Sequence, residues 1–201
     1  MSNLHVLSKI QIKKASHVIS EAFFNDPLMT YLFPEIKERK FKLSSMMELL
    51  IRIGMKYGVV QATSPHIEGI AVWFPSNKAK ITPTMGFLNG GISYFFKLRG
   101  KTIKKQNKIY NYIYSKHKEL MPSDHWYLSI IGINPLFQGK GWSTLLLNSM
   151  FTQIDKQNLP YYLDTNNKEN ISIYERFGFE IVEEYKLPNA NLVNWAMIRE
   201  I

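Results

Sequence analysis

Ile130-Ile-Gly-Ile-Asn-Pro-Leu-Phe-Gln-Gly-Lys-Gly-Trp-Ser-Thr-Leu-Leu-Leu147 runs from an aliphatic segment through a glycine-bearing turn straight into an apolar helix. Leu128, Ile130, Ile131 and Ile133 read as a buried strand, closed by Pro135, which has no N–H for a ladder and forces its predecessor extended. The glycines of Gln138-Gly-Lys-Gly-Trp-Ser143 allow tight backbone conformations, so successive amides can converge at the start of the next helix. Orphan N–H groups and the helix dipole favour an anion there. Leu146, Leu147, Met150, Phe151 and Ile154 recur at three- and four-residue spacing, the period of a helix with one buried face, which Asn158 and Pro160 end. A glycine-containing turn between strand and helix is also a common plain connection, so this stretch needs a second, independent signal.

Composition sets the bounds. The 201 residues, 45% of them apolar, suffice for one substantial core, and a single domain over 1–201 is expected. The absence of cysteine rules out disulfides and thiolate chemistry and fits a reducing compartment. The start, Met1-Ser-Asn-Leu-His-Val-Leu, lacks a signal-peptide pattern, and no stretch reaches the roughly 18–20 apolar residues that span a bilayer, so a cytoplasmic protein without membrane attachment is expected. The five histidines, at positions 5, 17, 66, 117 and 125, show no ligand spacing, and no metal is expected. The net charge of +9 raises the question of a polyanionic partner. Lys97, Arg99, Lys101, Lys104, Lys105, Lys108, Lys116 and Lys118 lie in one segment with no acidic residue before Glu119. Its tyrosines, Tyr110, Tyr112 and Tyr114, mix helix faces and form no stacking platform, so the preferred reading is a solvated helix face; nucleic acid is not expected.

Along the chain, Leu4 to Ile10 alternates as a first strand, and Ile12 to Phe24 places Ala15, Val18, Ile19, Ala22 and Phe23 on one helical face. Leu28 to Phe33 is a short apolar turn and Phe41 to Tyr57 a second long helix. Gly58 to Ala62 and Ile67 to Phe74 form a hairpin across Ser64-Pro65. Residues 82–121 read as an insertion of two helices split near Gly100. Tyr161 to Asp164 is a short strand, Ile171 to Phe177 a brief helix stopped by Gly178, and Phe179 to Tyr185 and Leu192 to Ile198 close the fold.

The second signal is Asn170-Ile-Ser-Ile-Tyr174-Glu-Arg-Phe-Gly-Phe179. Together with the central stretch, it resembles the GCN5-related N-acetyltransferases (GNAT), whose acetyl-CoA motif reads Gln/Arg-x-x-Gly-x-Gly/Ala. Gln138, Gly141 and Ser143 stand at its named positions, Ser143 departing from the usual glycine or alanine. The resemblance implies an α/β GNAT fold: a mixed, mostly antiparallel central sheet with a splayed cofactor strand, flanked by helices, with the insertion at about 82–121 and the acetyl-CoA motif at 128–157. It implies acetyl-CoA as cosubstrate, bound by Ile131, Gly132, Ile133, Gln138, Gly139, Lys140, Gly141, Trp142, Ser143, Thr144, Asn170 and Tyr174. It further implies that Tyr174 protonates the departing thiolate, a task suited to a phenol that stays protonated at neutral pH. Ala22-Phe23-Phe24 with Asp26-Pro27 and Tyr31-Leu-Phe33-Pro34 resembles the family's acceptor wall, so Phe23, Phe24, Tyr31 and Phe33 are candidates for substrate contact; ordinary core aromatics are the competing reading. The general base stays open among Asp164, Glu68, Asp124, Asp26 and a water chain, with Asp164 first. Ala71-Val-Trp-Phe-Pro75, Trp126 to Pro135, Tyr174 to Phe179 and Trp195-Ala-Met197 resemble the puromycin N-acetyltransferase branch. The expected function is acetyl transfer to a primary amine, of a small molecule, by direct attack in a ternary complex, from a monomer or homodimer. The alternative is a non-catalytic acyl-CoA sensor or a nucleic-acid-associated domain.

Overall fold

A computed structural model describes residues 4–98 and 100–201. Met1 to Asn3 and Arg99 of the basic segment lie outside the described residues. Seven strands form one sheet: β1 (His5–Val6), β2 (Val59–Ala62), β3 (Gly69–Pro75), β4 (Trp126–Ile133), β5 (Tyr161–Thr165), β6 (Glu180–Lys186) and β7 (Val193–Arg199), in the order β1-β2-β3-β4-β5-β7-β6. Only β4 and β5 run parallel among the described strands, joined by a helical crossover; the other pairs are antiparallel.

Helices cover both faces of the sheet. On one face lie α1 (Ile12–Ala22), α2 (Pro27–Leu32), α3 (Ile36–Tyr57) and, from the insertion, α4 (Pro83–Leu88), α5 (Ile92–Lys97) and α6 (Gly100–Leu120). On the other lie α7 (Trp142–Ile154) and α8 (Ile171–Glu175). The split follows the period-2 alternation of β3: Ile70, Val72 and Phe74 enter the core beneath α1 and α3, while Ala71 and Trp73 enter the core beneath α7. Leu146, Leu147, Met150, Phe151 and Ile154 are all buried there, as their spacing predicts.

β4 breaks that alternation once. Val72 opposes Ile130 but Trp73 opposes Leu128, so Ser129 is an extra residue on β4. Leu128 therefore enters the α7 core while Ile130, two residues on, enters the α1 core. The aliphatic run that reads as uniformly buried is two alternating half-strands out of phase.

The structure revises several boundaries. The first strand shrinks to His5–Val6, because Gln11 Oε1 accepts both the backbone N–H and the hydroxyl of Ser8, at 3.1 and 2.8 Å, and pulls the chain into a turn. The long helix begins at Ile36 rather than Phe41. Among its described residues the insertion holds three helices, not two: Thr82 Oγ1 caps α4 by accepting the Met85 amide at 3.2 Å, and Pro83 fits its first turn. Gly86 lies inside α4, where a Cβ would meet the Phe95 ring at 3.3 Å, so this glycine lets α4 and α5 pack closely. The brief helix α8 ends at Glu175, and Gly178, at φ +82°, turns the chain into β6.

The basic segment divides by function. Lys101, Lys104, Lys108 and Lys118 are exposed, the solvated face expected. Others are spent on packing: Lys97 donates to Ser45 Oγ at 3.0 Å, Lys116 pairs with Glu183 on β6 at 2.8 Å, and Lys105 donates to the Tyr31 carbonyl.

Candidate active site

The site begins where β4 leaves β5. Their ladder covers Trp126–Tyr161, Tyr127–Tyr162 and Leu128–Leu163 and stops there, while β4 stays paired with β3 as far as Ile133. The Ser129 bulge falls at the residue where the ladder ends, and a bulge bends its strand. From Ser129 to Ile133 one edge of β4 thus lacks a ladder partner in the middle of a sheet, which opens a wedge flanked by backbone polar groups. Gly132 faces α1: a Cβ there would stand 3.0 Å from Ala22 Cβ and Ile19 Cδ1 and 3.2 Å from the Phe23 ring. Its lack of a side chain admits the C-terminal end of α1 against the wedge.

The glycine turn caps the wedge. Gly139 and Gly141 adopt φ +75° and +81°, and a Cβ on either would meet nothing within 4 Å, so both glycines border open space. Gln138 Nε2 donates to the Ile133 carbonyl at 3.1 Å and ties the turn to the strand end. Gly141 is the N-cap of α7, whose first turn carries no acidic residue, so its free amides face an unblocked approach. Lys140, Trp142, Ser143 and Thr144 follow from this turn, and the Trp142 Nε1 is buried without a hydrogen-bond partner. The left-handed glycines, the open space beside them and the free helix start fit the pyrophosphate of acetyl-CoA.

Asn170 and Tyr174 lie beyond β5, at the start of α8 and within it, with Tyr174 in the core beneath α7. Asn170 is half-buried immediately before α8, and Tyr174 is 9% exposed. Burial, with the charges of Asp164 and Asp26, pushes the Tyr174 phenol well above the ordinary range, so it remains a proton donor at any physiological pH. Its hydroxyl makes no hydrogen bond among the described residues.

Asp164, near the end of β5, accepts from the Tyr127 hydroxyl at 3.1 Å and from Asn194 Nδ2 at 3.4 Å. Burial drives its carboxyl up to about 6 despite those two hydrogen bonds, the range in which a carboxylate serves as a base near neutrality. The other carboxylates weighed against it have structural tasks. Glu68 accepts from Thr63 Oγ1 at 2.7 Å and Ser64 Oγ at 2.8 Å in the β2–β3 turn; burial raises its pKa, but these bonds outweigh it and hold the carboxyl low. Asp124 is exposed and accepts from Ser76 Oγ at 3.2 Å. Asp26 caps α2, its Oδ1 accepting the Leu28 and Met29 amides at 3.0 and 3.1 Å.

Of the four aromatic candidates for the acceptor wall, Phe33 is a core residue at 2% exposure. The Tyr31 hydroxyl is committed to the Asn189 carbonyl in the β6–β7 turn. Phe24 lies under the Arg39 guanidinium, and Phe23 borders Gly132. Sequence reading missed Tyr127 and Asn194, which hold Asp164, because such partners are set by strand order rather than spacing. It also missed Asn166, whose amide nitrogen is buried and unpartnered just past β5.

Known proteins bear on this geometry. Residues 94–179 match the acetyltransferase (GNAT) family. An uncharacterized N-acetyltransferase of Schizosaccharomyces pombe is 29% identical over 187 residues, covering 89% of this chain and 74% of that one. A solved histone acetyltransferase HPA2 and related acetyltransferase from Corynebacterium glutamicum shares the fold, with a TM-score of 0.64, 20% identity and 98% and 95% of the two chains covered. So does a putative arylalkylamine N-acetyltransferase 7 from the yellow fever mosquito, with a TM-score of 0.66, 12% identity and 96% and 85% covered. The fold is the GNAT fold. The family match and the relative from Schizosaccharomyces pombe support an N-acetyltransferase. Among the described residues, no helix is long and apolar enough to cross a membrane, and no group of three or more metal-ligating side chains is found.

Proposed function

We propose that residues 1–201 form one catalytic domain that transfers the acetyl group of acetyl-CoA to the primary amine of a small molecule, by direct attack in a ternary complex. The observation that supports this reading is the β4 edge left free beyond Leu128, together with a carboxyl at Asp164 raised to about 6 and a phenol at Tyr174 held in its protonated form. Acetyl-CoA supplies an acetyl thioester. Asp164 takes a proton from the incoming ammonium, the freed amine forms the C–N bond as the C–S bond breaks, and Tyr174 gives its proton to the departing sulfur. The free edge of β4, at Ile131 and Ile133, offers backbone N–H to the acetyl oxygen, a contribution of about 3 kcal/mol in comparable oxyanion sites, with Gly132 between them. Gln138 through Thr144 hold the pyrophosphate, and Asn170 with Asn166 faces the pantetheine arm. Within that family, the relationship we propose is with the puromycin N-acetyltransferase branch.

Calorimetric titration with acetyl-CoA, followed by thiol release across an amine panel that includes puromycin, tests the reading. Binding with turnover on an amine is expected. Absence of acetyl-CoA binding would return the glycine turn to a plain connection, and binding without turnover on any amine would favour a sensor.

A further inference from the structure

Tyr127 and Tyr162 are partners in the β4–β5 ladder, so their rings lie side by side on the face of the sheet that the insertion helix α6 covers. His117, near the end of α6, touches both. Its imidazole lies parallel to the Tyr162 ring, with 4.1 Å between centroids, and tilted against the Tyr127 ring at 4.8 Å. Tyr127 is also the residue whose hydroxyl donates to Asp164 Oδ2 at 3.1 Å. One imidazole is therefore a single contact away from the phenol that holds this carboxyl.

Hydrogen bonding fixes that imidazole. The Ser123 carbonyl only accepts, so His125 Nδ1, 2.7 Å from it, carries a hydrogen, and His125 Nε2 is bare while the ring is neutral. His117 Nε2–H then donates to it at 2.6 Å. A flip of the His117 ring would turn a C–H toward that lone pair, so one orientation alone satisfies the pair. Packing by itself would not impose it, because both histidines border a cavity of about 220 Å³ together with Ser76, Tyr114 and Met121. The stack is also kept at the expense of Tyr162, which is fully buried and whose hydroxyl has no hydrogen-bond partner, an unfavourable state for a phenol.

We propose that His117 is a positioning residue: locked by His125 and stacked on Tyr162, its ring holds Tyr127 in the orientation that delivers the phenol hydrogen to Asp164. Its benefit to acetyl transfer rests on the reading of Asp164 as the base given above; the contact itself does not. A phenol hydrogen bond favours the ionised carboxylate and so opposes the burial that raises Asp164, which means that losing the ring contact raises Asp164 further. The second donor to the carboxyl, Asn194 Nδ2 at 3.4 Å, comes from β7 and is held separately by the Tyr185 hydroxyl at 2.7 Å. Burial, with His125, keeps His117 neutral down to about pH 3, so replacing it with an uncharged residue alters no charge near Asp164 at neutral pH, and Lys118 and Asp124, which line the same cavity, stay in place.

The test follows the titration of the Asp164 carboxyl by carbon-13 NMR in the full chain and in three variants, with melting curves to verify the fold. His117→Leu loses the flat ring, His117→Gln loses it while keeping a donor for His125, and His117→Phe keeps a ring. The expected result is a midpoint about one pH unit higher in His117→Leu and His117→Gln, restored toward the parent value in His117→Phe. In a Tyr127→Phe background, which already lacks the bond, neither ring-free variant moves the midpoint further. A midpoint unchanged by loss of the ring, or moved equally with and without the Tyr127 hydroxyl, overturns the proposal. The pH profile of thiol release separates the two readings. A rising limb of kcat/KM that follows the NMR midpoint upholds both, whereas a midpoint that moves while the limb stays upholds the positioning of Asp164 and removes its role as the base.

Discussion

Tyr127 donates its hydroxyl to Asp164 at 3.1 Å across the parallel β4–β5 pair, at the last residues before the two strands part. The bond is accepted by Oδ2 while Oδ1 accepts from Asn194, and together they orient a carboxyl that burial has raised to about 6. If Asp164 is the base, kcat/KM rises with pH up to about 6 from this group and then levels. Asp164→Asn removes that limb and lowers kcat by about 10²- to 10⁴-fold, read from the pH profile of thiol release. An unaltered profile sinks the assignment.

The same carboxyl has a stability consequence. Its folded pKa lies above the unfolded value of 3.8, so its contribution is fully present below 3.8 and is lost as pH rises through 6. Asp164→Asn is therefore expected to raise the melting temperature at pH 8 more than at pH 4.5. The gain has an upper bound of about 3 kcal/mol from two pH units. Equal shifts at both pH values would show that Asp164 is not ionised at a cost.

Tyr174→Phe keeps the ring that packs against Phe179 at 6.0 Å and removes only the proton donor. Turnover is expected to fall by about 10²-fold with acetyl-CoA affinity unchanged, because the hydroxyl acts only as the thiolate forms. Retained turnover removes the acid role.

Gly141 holds φ +81° at the cap of α7 and borders open space. Gly141→Val should cost about 1–3 kcal/mol in stability through the left-handed backbone alone. It should also weaken acetyl-CoA binding measured by calorimetry, because the new side chain projects into the anion cradle. Lost stability with unchanged affinity would place the cradle elsewhere.

Arg39 fixes the turns on either side of α2. Its guanidinium donates to the carbonyls of Phe33, Phe24 and Pro34 at 2.8, 3.0 and 2.9 Å while the residue is only 7% exposed. Arg39→Leu strands one buried and two part-buried acceptors, and a loss of about 2–3 kcal/mol is expected in urea unfolding. A loss under 1 kcal/mol would mean water replaces the guanidinium.

His117 and His125 meet through their Nε2 atoms at 2.6 Å, so one ring donates and the other accepts, and both cannot be cationic there. Burial, then His125, lowers His117 to about 3; burial also lowers His125, against the pull of the Ser123 carbonyl and Asp124. Depressed histidine pKa values give stability that is present above the unfolded value of about 6.5 and is lost as pH falls below it. From pH 7.5 to 5.5 the parent should lose stability relative to His117→Phe/His125→Leu, a comparison in which the carboxylate contributions cancel. Parallel melting curves would disprove the neutral pair.

Local chemistry was legible in the sequence because it depends on neighbours in the chain. The left-handed Gly139 and Gly141, the strand that ends before Pro135, the stripe from Leu146 to Ile154 and the stop at Gly178 each follow from backbone sterics or helical period. The resemblance added what those rules do not contain, the GNAT fold and the cofactor it implies. Short strands and packed glycines misled for the same reason. Ser8 and Gln11 compete with β1 through a side-chain hydrogen bond, and Gly86 packs against Phe95 inside α4, a helix additional to the two expected on either side of Gly100. Only the tertiary structure decided what depends on pairing. The extra residue at Ser129 appears when β4 is laid against β3, and its effect on the wedge appears only beside β5. Likewise, the carboxylates are separated by their surroundings rather than their spacing: Glu68 is held low by two hydroxyls, while Asp164 and Asp26 are raised by burial. A pKa is set by desolvation and by partners brought together through folding, which no stretch of sequence carries by itself.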